Sequence, residues 1–428
     1  MTIELEEIPS RETLDGNVSS EVVVPIEVRG NNLPSRGERL LPIVVLFEPA
    51  ADEFSYESKF IPLLGKYLDP LVFEPFVVGS SGLKGALPDD KSVGLEIPIK
   101  FVGHRGPLRF VLYVASLALS ALLLVKATKL SRSKIIVTMA GHCYSGFIVA
   151  VMGKLMKRRT IIRISEPTRL LLRRNHRPRI VYALATLTEK ISLSLSDAIF
   201  SVRDMSDYCA IPPSKDWIIR QGVDLKGIED SRPVKLREHL SPAIVTVSRL
   251  DSEKGIDRLI DSIALLIHKL PDAGCLIVGW GPEMESLRKR VAEKGLIQHV
   301  SFVGYVPPGK VASFLKACNI FVLPSELEGV PSAVLEAMAS GLPVVMCLQT
   351  GDFAKSVIRA GSALTVPPTP QAIADAIEWL WFNESERVKL SELGLEYVRA
   401  NYDEAESRKR FFELTSRLTH GSPARDPT

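Results

Sequence analysis

Two glutamates stand eight residues apart in the segment PSELEGVPSAVLEAMASGLPVV, which covers Pro324–Val345. Glu328 precedes a Gly-Val-Pro-Ser turn, and Glu336 follows that turn inside a helix-forming run. The positive end of a helix favours a nearby carboxylate, but it favours a phosphate as well. The pattern therefore suits either an acid–base pair or a site for a phosphorylated polyol, to which the backbone N–H groups of Gly329 and Val330 would add donors.

Two cations stand in a second segment, SRLDSEKG, between the apolar run AIVTV and a helical pattern. Arg249 offers a planar fork of donors to phosphate oxygens, and Lys254, five residues later, offers a point charge. A strand-to-helix loop also directs backbone N–H groups and the positive helix end at one place. The segment predicts an anion-binding loop, and a solvated loop with incidental charges is the alternative.

Glycines follow two further apolar runs in the same half of the chain. Gly279 lies in the turn IVGWGP, and Gly304 lies in FVGYV. The first turn has one glycine fewer than a dinucleotide-binding fingerprint, so it does not predict a Rossmann cofactor site. Tight strand-to-helix geometry explains both glycines, and close approach of a ligand to the backbone is the alternative.

A repeating pattern of short apolar runs and helical segments has to position these residues. Apolar runs rich in β-branched residues, bounded by turns and separated by helices, are typical of parallel strands in βαβ units. At 428 residues the chain is long for one core. We therefore predict two α/β domains, at 40–225 and 226–400, joined by a connector at Arg220–Pro242, with a flexible tail at 1–39 and a C-terminal helix and tail at 401–428.

Composition and termini bear on location. The N-terminus is acidic and lacks the apolar core of a signal peptide. Five cysteines, scattered and odd in number, indicate a reducing compartment without a disulfide framework. These features predict a cytoplasmic protein.

The first predicted domain contains an apolar segment and a basic one. Phe110–Val125 is sixteen uncharged residues, and as a helix it would be about 24 Å long, against about 30 Å for a bilayer core. It predicts a core helix, with an interfacial helix as the alternative. Lys154–Arg179 contains ten basic residues and one acid, Glu166, which suits an anionic membrane or a lipid-linked phosphate, or simply a solvated face. Nucleic acid is not an expected partner, because aromatic residues are not interleaved with the charges.

Taken in order, SRLDSEKG, LIVGWGPEMESL, VSFVGYVP and the segment Pro324–Val345 resemble the nucleotide-sugar domain of retaining GT-B glycosyltransferases, and glycosyltransferase family 4 in particular. The resemblance implies an α/β fold of GT-B type, with two Rossmann-like, doubly wound domains facing a central cleft. It also implies transfer of a hexosyl group from a UDP or GDP sugar to a glycan, lipid-linked or other acceptor in polysaccharide or glycolipid biosynthesis.

The resemblance assigns roles to residues. Arg249 and Lys254 would hold the donor diphosphate and neutralise its charge as it departs, and Glu336 would bond the ribose hydroxyls. Glu328, a candidate catalytic residue, would contact the hydroxyls of the transferred sugar or stabilise its cationic ring. No metal and no cofactor is expected, because cations and a helix end stabilise the leaving group. The remaining donor-binding positions that we predict are Gly279, Gly304, Tyr305, Val306, Gly329, Val330 and Gly351.

Two departures from the family pattern concern the acceptor side. The loop after the first predicted strand, Glu48–Glu53, lacks the usual Gly-Gly pair, and the segment TIIRISEP lacks the usual histidine. His142 and Glu166 are the candidate catalytic residues there, although a lone histidine at a strand end is more often structural. A catalytically silent relative that binds nucleotide sugars is therefore an alternative function, and a membrane-embedded protein is a third. Our main prediction is an enzyme, peripheral on the inner membrane face.

Overall fold

The chain divides into two units at Gly222/Val223 and at Asp403/Glu404. We call Asn32–Gly222 with Glu404–Thr428 the first unit, and Val223–Asp403 the second unit. The computed structural model describes residues 41–46, 66–68, 72–80, 93–97, 107–139, 144–164, 179–202, 211, 213–236, 240–326, 328–347 and 352–420. Among these, no helix is both long enough and apolar enough to cross a membrane.

The first unit contains a seven-stranded sheet in which each neighbouring pair is parallel, in the order β3-β2-β1-β4-β5-β6-β7. Strands buried on both faces are typically apolar runs, such as LPIVVL in β1 and IIVT in β4. The strands are β1 Leu41–Leu46, β2 Phe73–Ser80, β3 Val93–Ile97, β4 Ile135–Thr138, β5 Arg159–Ile164, β6 Ala198–Ser201 and β7 Asp216–Ile218.

Helices cover both faces of this sheet. Helices α1 (Pro107–Ser131), α2 (Tyr144–Leu155) and α3 (Arg179–Leu195) pack on one face, where Leu124 lies in a core cluster with Val44 and Ile136. The other face, with Ile43 and Val45, packs against Phe411 and Leu414 of the C-terminal helix Glu404–His420. The Phe411 ring lies edge-on to Phe200 at 5.5 Å between centroids, which anchors this helix in the first unit.

The apolar segment Phe110–Val125 lies within α1, which is longer than the segment itself. Leu124 is fully buried, but Leu122 and Leu130 of the same helix are exposed. The helix therefore buries one side against the sheet and presents apolar residues on the other. Our prediction of a core helix describes only the buried side.

The second unit contains a six-stranded parallel sheet in the order β10-β9-β8-β11-β12-β13. Its strands are β8 Ala243–Val247, β9 Gly274–Val278, β10 Val300–Gly304, β11 Ile320–Leu323, β12 Val344–Cys347 and β13 Leu364–Val366. Its helices, continuing the numbering, are α4 Leu225–Asp230, α5 Ile256–Leu266, α6 Met284–Glu293, α7 Pro308–Leu315, α8 Ser332–Ala339, α9 Asp352–Ala360, α10 Pro370–Phe382 and α11 Glu384–Asn401.

This second sheet is also covered on both faces. One face packs Phe321 against Val334 and Met338 of α8, and the other packs Ile277 against Ile263 of α5. Two parallel sheets, each with helices on both faces, confirm the prediction of two doubly wound units.

The helical pattern after Glu384 forms two helices rather than one. The first helix ends at Asn401, and a separate helix, α12, begins at Glu404. The break occurs because the Tyr402 carbonyl accepts a 2.7 Å hydrogen bond from the Val223 N–H, and Asp403 forms a β-bridge with Val223. Backbone pairing with a distant residue thus replaces the local helical bonds.

The loops after β8, β9 and β10 are bonded to one another through their backbones. Ser248 N–H donates to the Val278 carbonyl at 3.0 Å, and Gly279 N–H donates to the Gly304 carbonyl at 2.8 Å. Gly279 has φ +141°, and a Cβ at this position would lie 1.8 Å from the Ser248 carbonyl oxygen. The glycine therefore allows the two neighbouring loops to touch.

Replacing Gly279 with alanine should destabilise the second unit. The backbone conformation alone costs about 1–3 kcal/mol for an L-residue, and the contact with the Ser248 carbonyl adds to that cost. Gly309→Ala is the matched control, since it lies in the first turn of α7 and a Cβ there meets nothing within 4 Å. Thermal unfolding of both variants would contradict this account if Gly279→Ala were as stable as Gly309→Ala.

Asp197, which precedes β6, should make the unfolding free energy of the first unit fall at acidic pH. Burial alone would raise the pKa of this carboxyl, but hydrogen bonds from the Thr160 N–H at 2.9 Å and from Arg159 at 3.1 Å, with Lys154 nearby, hold the pKa below its usual range. A carboxyl whose pKa is lower in the folded state than in the unfolded state stabilises the fold at any pH above the unfolded-state pKa of about 3.9. This stability is lost as the pH falls through the folded-state pKa.

We expect Asp197→Asn to lower the unfolding free energy at pH 7 by about 1–2 kcal/mol and to flatten its decline below pH 5. The control is Asp230→Asn, an exposed residue at the end of α4, with an expected change within about 0.5 kcal/mol. Denaturant unfolding from pH 7 to pH 3 measures both variants, and equal acid sensitivity of Asp197→Asn and the unsubstituted protein would refute the assignment.

Candidate functional site

The strand order of the second unit reverses between β8 and β11. Strands β8, β9 and β10 run outward in one direction, and β11, β12 and β13 run outward in the other. Ligands of doubly wound sheets bind outside the carboxyl ends of the strands at such a reversal. The loop 248–255 follows β8, and the loop 324–331 follows β11, so the two segments with the predicted chemistry flank this point.

Lys254 and Glu328 form an ion pair between these two loops. The Lys254 Nζ lies 2.7 Å from the Glu328 Oε1, and the Ser325 hydroxyl donates to the same oxygen at 2.9 Å. The two charged side chains are 18% and 16% exposed. The tertiary structure thus brings together two predicted site residues that lie 74 positions apart in the chain.

The sequence did not point to Arg258, although this residue holds the two loops together. Its Nη1 donates to the Pro324 carbonyl at 2.8 Å, and its Nη2 pairs with Glu326. Burial raises the pKa of the nearby Cys347 thiol, and the charge of Arg258 opposes this rise. Arg258 lies in the first turn of α5, four residues after Lys254. A third cation this close to Arg249 and Lys254 was the signal in the sequence that could have identified it.

Gly255 allows the close approach of the two loops. It has φ +66°, and a Cβ there would lie 2.6 Å from the Pro324 carbonyl oxygen. A left-handed residue at this position also separates the 3-10 turn Ser252–Lys254 from α5. The backbone therefore fixes where the Lys254 side chain starts.

Arg249, the second predicted cation, has a different environment. Its guanidinium is 75% exposed and pairs with the Asp251 carboxylate of its own loop at 2.5 Å. The structure therefore pairs the two predicted phosphate-binding cations with different carboxylates. Lys254 is held by the loop after β11, whereas Arg249 is held locally and faces solvent.

Glu336 lies in the second turn of α8 and is half-buried. Pro331, the residue before the helix, makes no side-chain cap hydrogen bond. Backbone N–H groups at a helix start can bond an anion. Gly329 and Val330 lie in the loop immediately before this helix start and are half-buried.

The predicted nucleobase positions follow β10. Gly304 has φ +82°, and Tyr305 is exposed. The Val306 side chain lies in the core of the second unit, so only its backbone remains for a ligand. Trp280, which follows Gly279, is exposed as well. Since the Gly279 N–H bonds the Gly304 carbonyl, Trp280 and Tyr305 follow adjoining backbone segments. Nothing in the sequence pattern pointed to Trp280.

Three predicted residues, His142, Glu166 and Gly351, lie outside the residues that the structure describes. The same is true of the loop Glu48–Glu53. Within the part of the chain that is described, no group of three or more His, Cys, Asp or Glu residues could hold a metal ion.

Residues 227–396 match the family model of glycosyl transferases group 1. The chain is 29% identical over 169 residues to a GDP-mannose-dependent alpha-(1-6)-phosphatidylinositol monomannoside mannosyltransferase of Mycobacterium tuberculosis, which covers 38% of this chain and 44% of that protein. It is 32% identical over 151 residues to the amylovoran biosynthesis glycosyltransferase AmsK of Erwinia amylovora, covering 33% of this chain and 35% of the relative. These alignments thus span less than half the length of each relative.

A solved structure supports the fold over a larger part of the chain. The HepE protein of Anabaena, in complex with UDP, superposes with a TM-score of 0.67, covering 88% of this chain and all of that one. At 15% identity this likeness concerns the fold alone. The chain therefore has the GT-B fold, and its residues 227–396 match the family model of glycosyl transferases group 1.

Proposed function

We propose that this protein is a retaining glycosyltransferase that moves a sugar from a nucleoside diphosphate sugar to a glycan or a lipid-linked acceptor. The observation that carries the proposal is the Lys254–Glu328 ion pair, which lies at the strand-order reversal within the family-matched residues. A cation and a carboxylate held together by two loops suit a donor whose diphosphate and sugar are adjacent.

This reaction first requires that the negative charge on the leaving group be stabilised. The bond between the sugar C1 and the phosphate oxygen breaks, and the electron pair leaves with the nucleoside diphosphate. Cations and N–H groups that are already in place stabilise this charge. A lysine ammonium has three N–H donors. One donor of Lys254 bonds Glu328, and the other two would bond phosphate oxygens. The exposed Arg249 would be the second cation.

The two glutamates would bind opposite ends of the donor, the transferred sugar and the ribose. Glu328 would orient Lys254 and contact hydroxyls of the transferred sugar, while Glu336 in α8 would bond the ribose. The start of α8, after Gly329 and Val330, would supply N–H groups for phosphate oxygens between them. On this assignment the pair is not an acid–base couple.

The nucleobase would lie by Gly304, Tyr305 and Val306, with Gly279 and Trp280 adjoining. We propose UDP or GDP as the nucleotide, since one relative is named for GDP-mannose and one fold neighbour was solved with UDP. No metal and no cofactor enters this proposal, because Lys254 and the start of α8 stabilise the departing diphosphate. Gly351 remains a proposed donor contact.

The acceptor would bind the first unit. A bond would form between the acceptor oxygen and the sugar C1 as the bond from C1 to the phosphate oxygen breaks, and the acceptor proton would pass to His142 or Glu166. His142 and Glu166 remain the proposed catalytic residues there. The relatives' names mention a phosphatidylinositol mannoside and amylovoran, so we propose a polysaccharide or glycolipid acceptor. With acceptors of this kind we also propose a cytoplasmic protein, peripheral on an anionic membrane face.

A thermal-shift screen of UDP, GDP, ADP and TDP with the purified chain tests donor binding. We expect one of UDP or GDP to raise the unfolding temperature, because a ligand that binds only the native state stabilises it by about 2.7 kcal/mol at 100 times its Kd. The other nucleotides serve as matched controls. If none of the four shifts the transition, the proposed donor site does not exist.

Substituting the ion pair tests its role in transfer. We expect Lys254→Met to lower kcat about 100- to 1,000-fold with UDP- or GDP-sugars, as loss of one preorganised donor does elsewhere. Glu328→Gln should also lower kcat, because the neutral amide no longer fixes the ammonium. Lys289→Met is the control, since that lysine side chain is 77% exposed on α6.

Assays of donor hydrolysis and sugar transfer on folded variants distinguish an active glycosyltransferase from a catalytically silent relative that only binds nucleotide sugars. A silent relative would show the nucleotide-dependent shift but no turnover in the unsubstituted protein. Full activity of Lys254→Met would instead show that the site has been placed wrongly.

A further inference from the structure

The amino edge of the first unit's sheet, opposite the carboxyl ends of its strands, is strongly basic. Helices α1, α2 and α3 all end at this edge, where the chain turns into β4, β5 and β6. Among the described residues at the starts of β4–β7 and the helix ends before them, the acids are Asp197 and Asp216. The bases, which we call the basic edge, are Lys129, Arg132, Lys134, Lys154, Lys157, Arg158, Arg159 and Lys215.

These bases form one continuous surface. Strands β4, β5, β6 and β7 are neighbours, and adjacent strands lie about 4.8 Å apart. The Arg159 N–H donates to the Lys134 carbonyl at 2.9 Å, which places the starts of β4 and β5 side by side. The Lys215 ammonium donates to the Ser194 and Ser196 carbonyls at 2.7 Å each, which joins the start of β7 to the end of α3.

Internal ion pairs neutralise only part of this charge. Asp197 is 3.4 Å from Lys154 and 3.1 Å from Arg159, yet both cations remain at least half exposed. Lys129, Lys134 and Lys157 are exposed too. The surface therefore keeps a large positive excess.

Two of the bases occupy backbone conformations that disfavour them. Arg132 and Lys157 both have φ +54°, and they are the described non-glycine residues with positive φ. Each follows the end of a helix, α1 or α2, where glycine is the usual residue because it has no Cβ. Local backbone geometry thus does not account for a cation at either position.

Exposed leucines border the same edge. Leu130, in the last turn of α1, is 60% exposed, and Leu155, the last residue of α2, is 72% exposed. Helix dipoles favour bases in a last turn, which explains Lys129 and Lys154. The dipole explains neither the exposed leucines nor the left-handed Arg132 and Lys157.

We propose that the basic edge, with Leu130 and Leu155, is a docking surface for an anionic lipid bilayer. Cations attract the headgroups, and the leucines enter the boundary between headgroups and acyl chains. The inference rests on the peripheral membrane association of the proposed function and assigns it to one surface. It does not depend on donor transfer.

The test is co-sedimentation of the full chain with vesicles of phosphatidylcholine, with and without one quarter phosphatidylglycerol. The chain should bind the anionic vesicles, and binding should weaken between 50 and 500 mM NaCl, where screening becomes strong. The double variant Arg132→Gly/Lys157→Gly should bind roughly 30-fold more weakly at low salt, from about fivefold per cation. Its unfolding temperature should not fall, since glycine relieves the left-handed backbone.

A matched variant and an apolar variant complete the design. Lys289→Gln/Lys389→Gln removes the same charge from exposed helix positions of the second unit, and its vesicle binding should stay within about twofold. Leu130→Gln/Leu155→Gln should weaken binding several-fold at every salt concentration, because insertion of apolar surface is not screened.

The proposal is overturned if the unsubstituted chain does not bind anionic vesicles or binds neutral ones equally. It is also overturned if Arg132→Gly/Lys157→Gly binds as tightly as the control variant. Binding of the basic edge to a 20-base-pair DNA duplex, with no binding to vesicles, would assign it to nucleic acid instead. Donor hydrolysis should be unchanged in Arg132→Gly/Lys157→Gly, so failure of the donor site and failure of the docking surface give different results.

Discussion

A parallel strand cannot be joined to its neighbour by a tight hairpin, because the chain has to return to the same edge of the sheet before the next strand begins. Both sheets of this protein are parallel throughout their described strands, and both show the same reversal of strand order. Crossover helices therefore cover both faces of each sheet. The loops are consequently sorted into carboxyl-edge loops, where the candidate site lies, and amino-edge turns, where helices end.

Within the second unit, the backbone brings the charges together. Gly255 and Gly279 occupy positions where any side chain would meet a carbonyl of the neighbouring loop. Because these loops touch, Lys254 reaches Glu328 and Arg258 reaches Pro324. A partly buried ammonium needs a partner to offset its desolvation, and Glu328 supplies one before any ligand arrives.

The first unit distributes its charge differently. At its amino edge one carboxylate, Asp197, receives bonds from a strand N–H, a threonine hydroxyl and two cations. That carboxylate stabilises the start of two strands but cannot balance the surrounding bases. The same edge keeps cations in left-handed positions at Arg132 and Lys157. Helix ends thus concentrate charge on one side of the sheet, away from the strand ends where ligands of such sheets bind.

The sequence alone determined the fold class, since runs such as AIVTV and IFVL, separated by helical segments, are typical of parallel strands buried on both faces. It also predicted which loops hold the candidate site, because Arg249, Lys254, Glu328 and Glu336 each lie between a predicted strand and helix or within the first turns of a predicted helix. Periodicity alone does not mark the break after Asn401, where the Val223 N–H bonds the Tyr402 carbonyl.

Only the tertiary structure decided which charges meet. Lys254 and Glu328 are 74 residues apart, and nothing in the local pattern of either indicates the other. In the sequence, Arg258 is indistinguishable from any other helix residue, and Arg132 and Lys157 are indistinguishable from other surface bases. Their neighbours and backbone angles are known only from the fold. The reason is physical: local propensity depends on adjacent residues, whereas pairing across loops depends on the register of strands far apart in the chain.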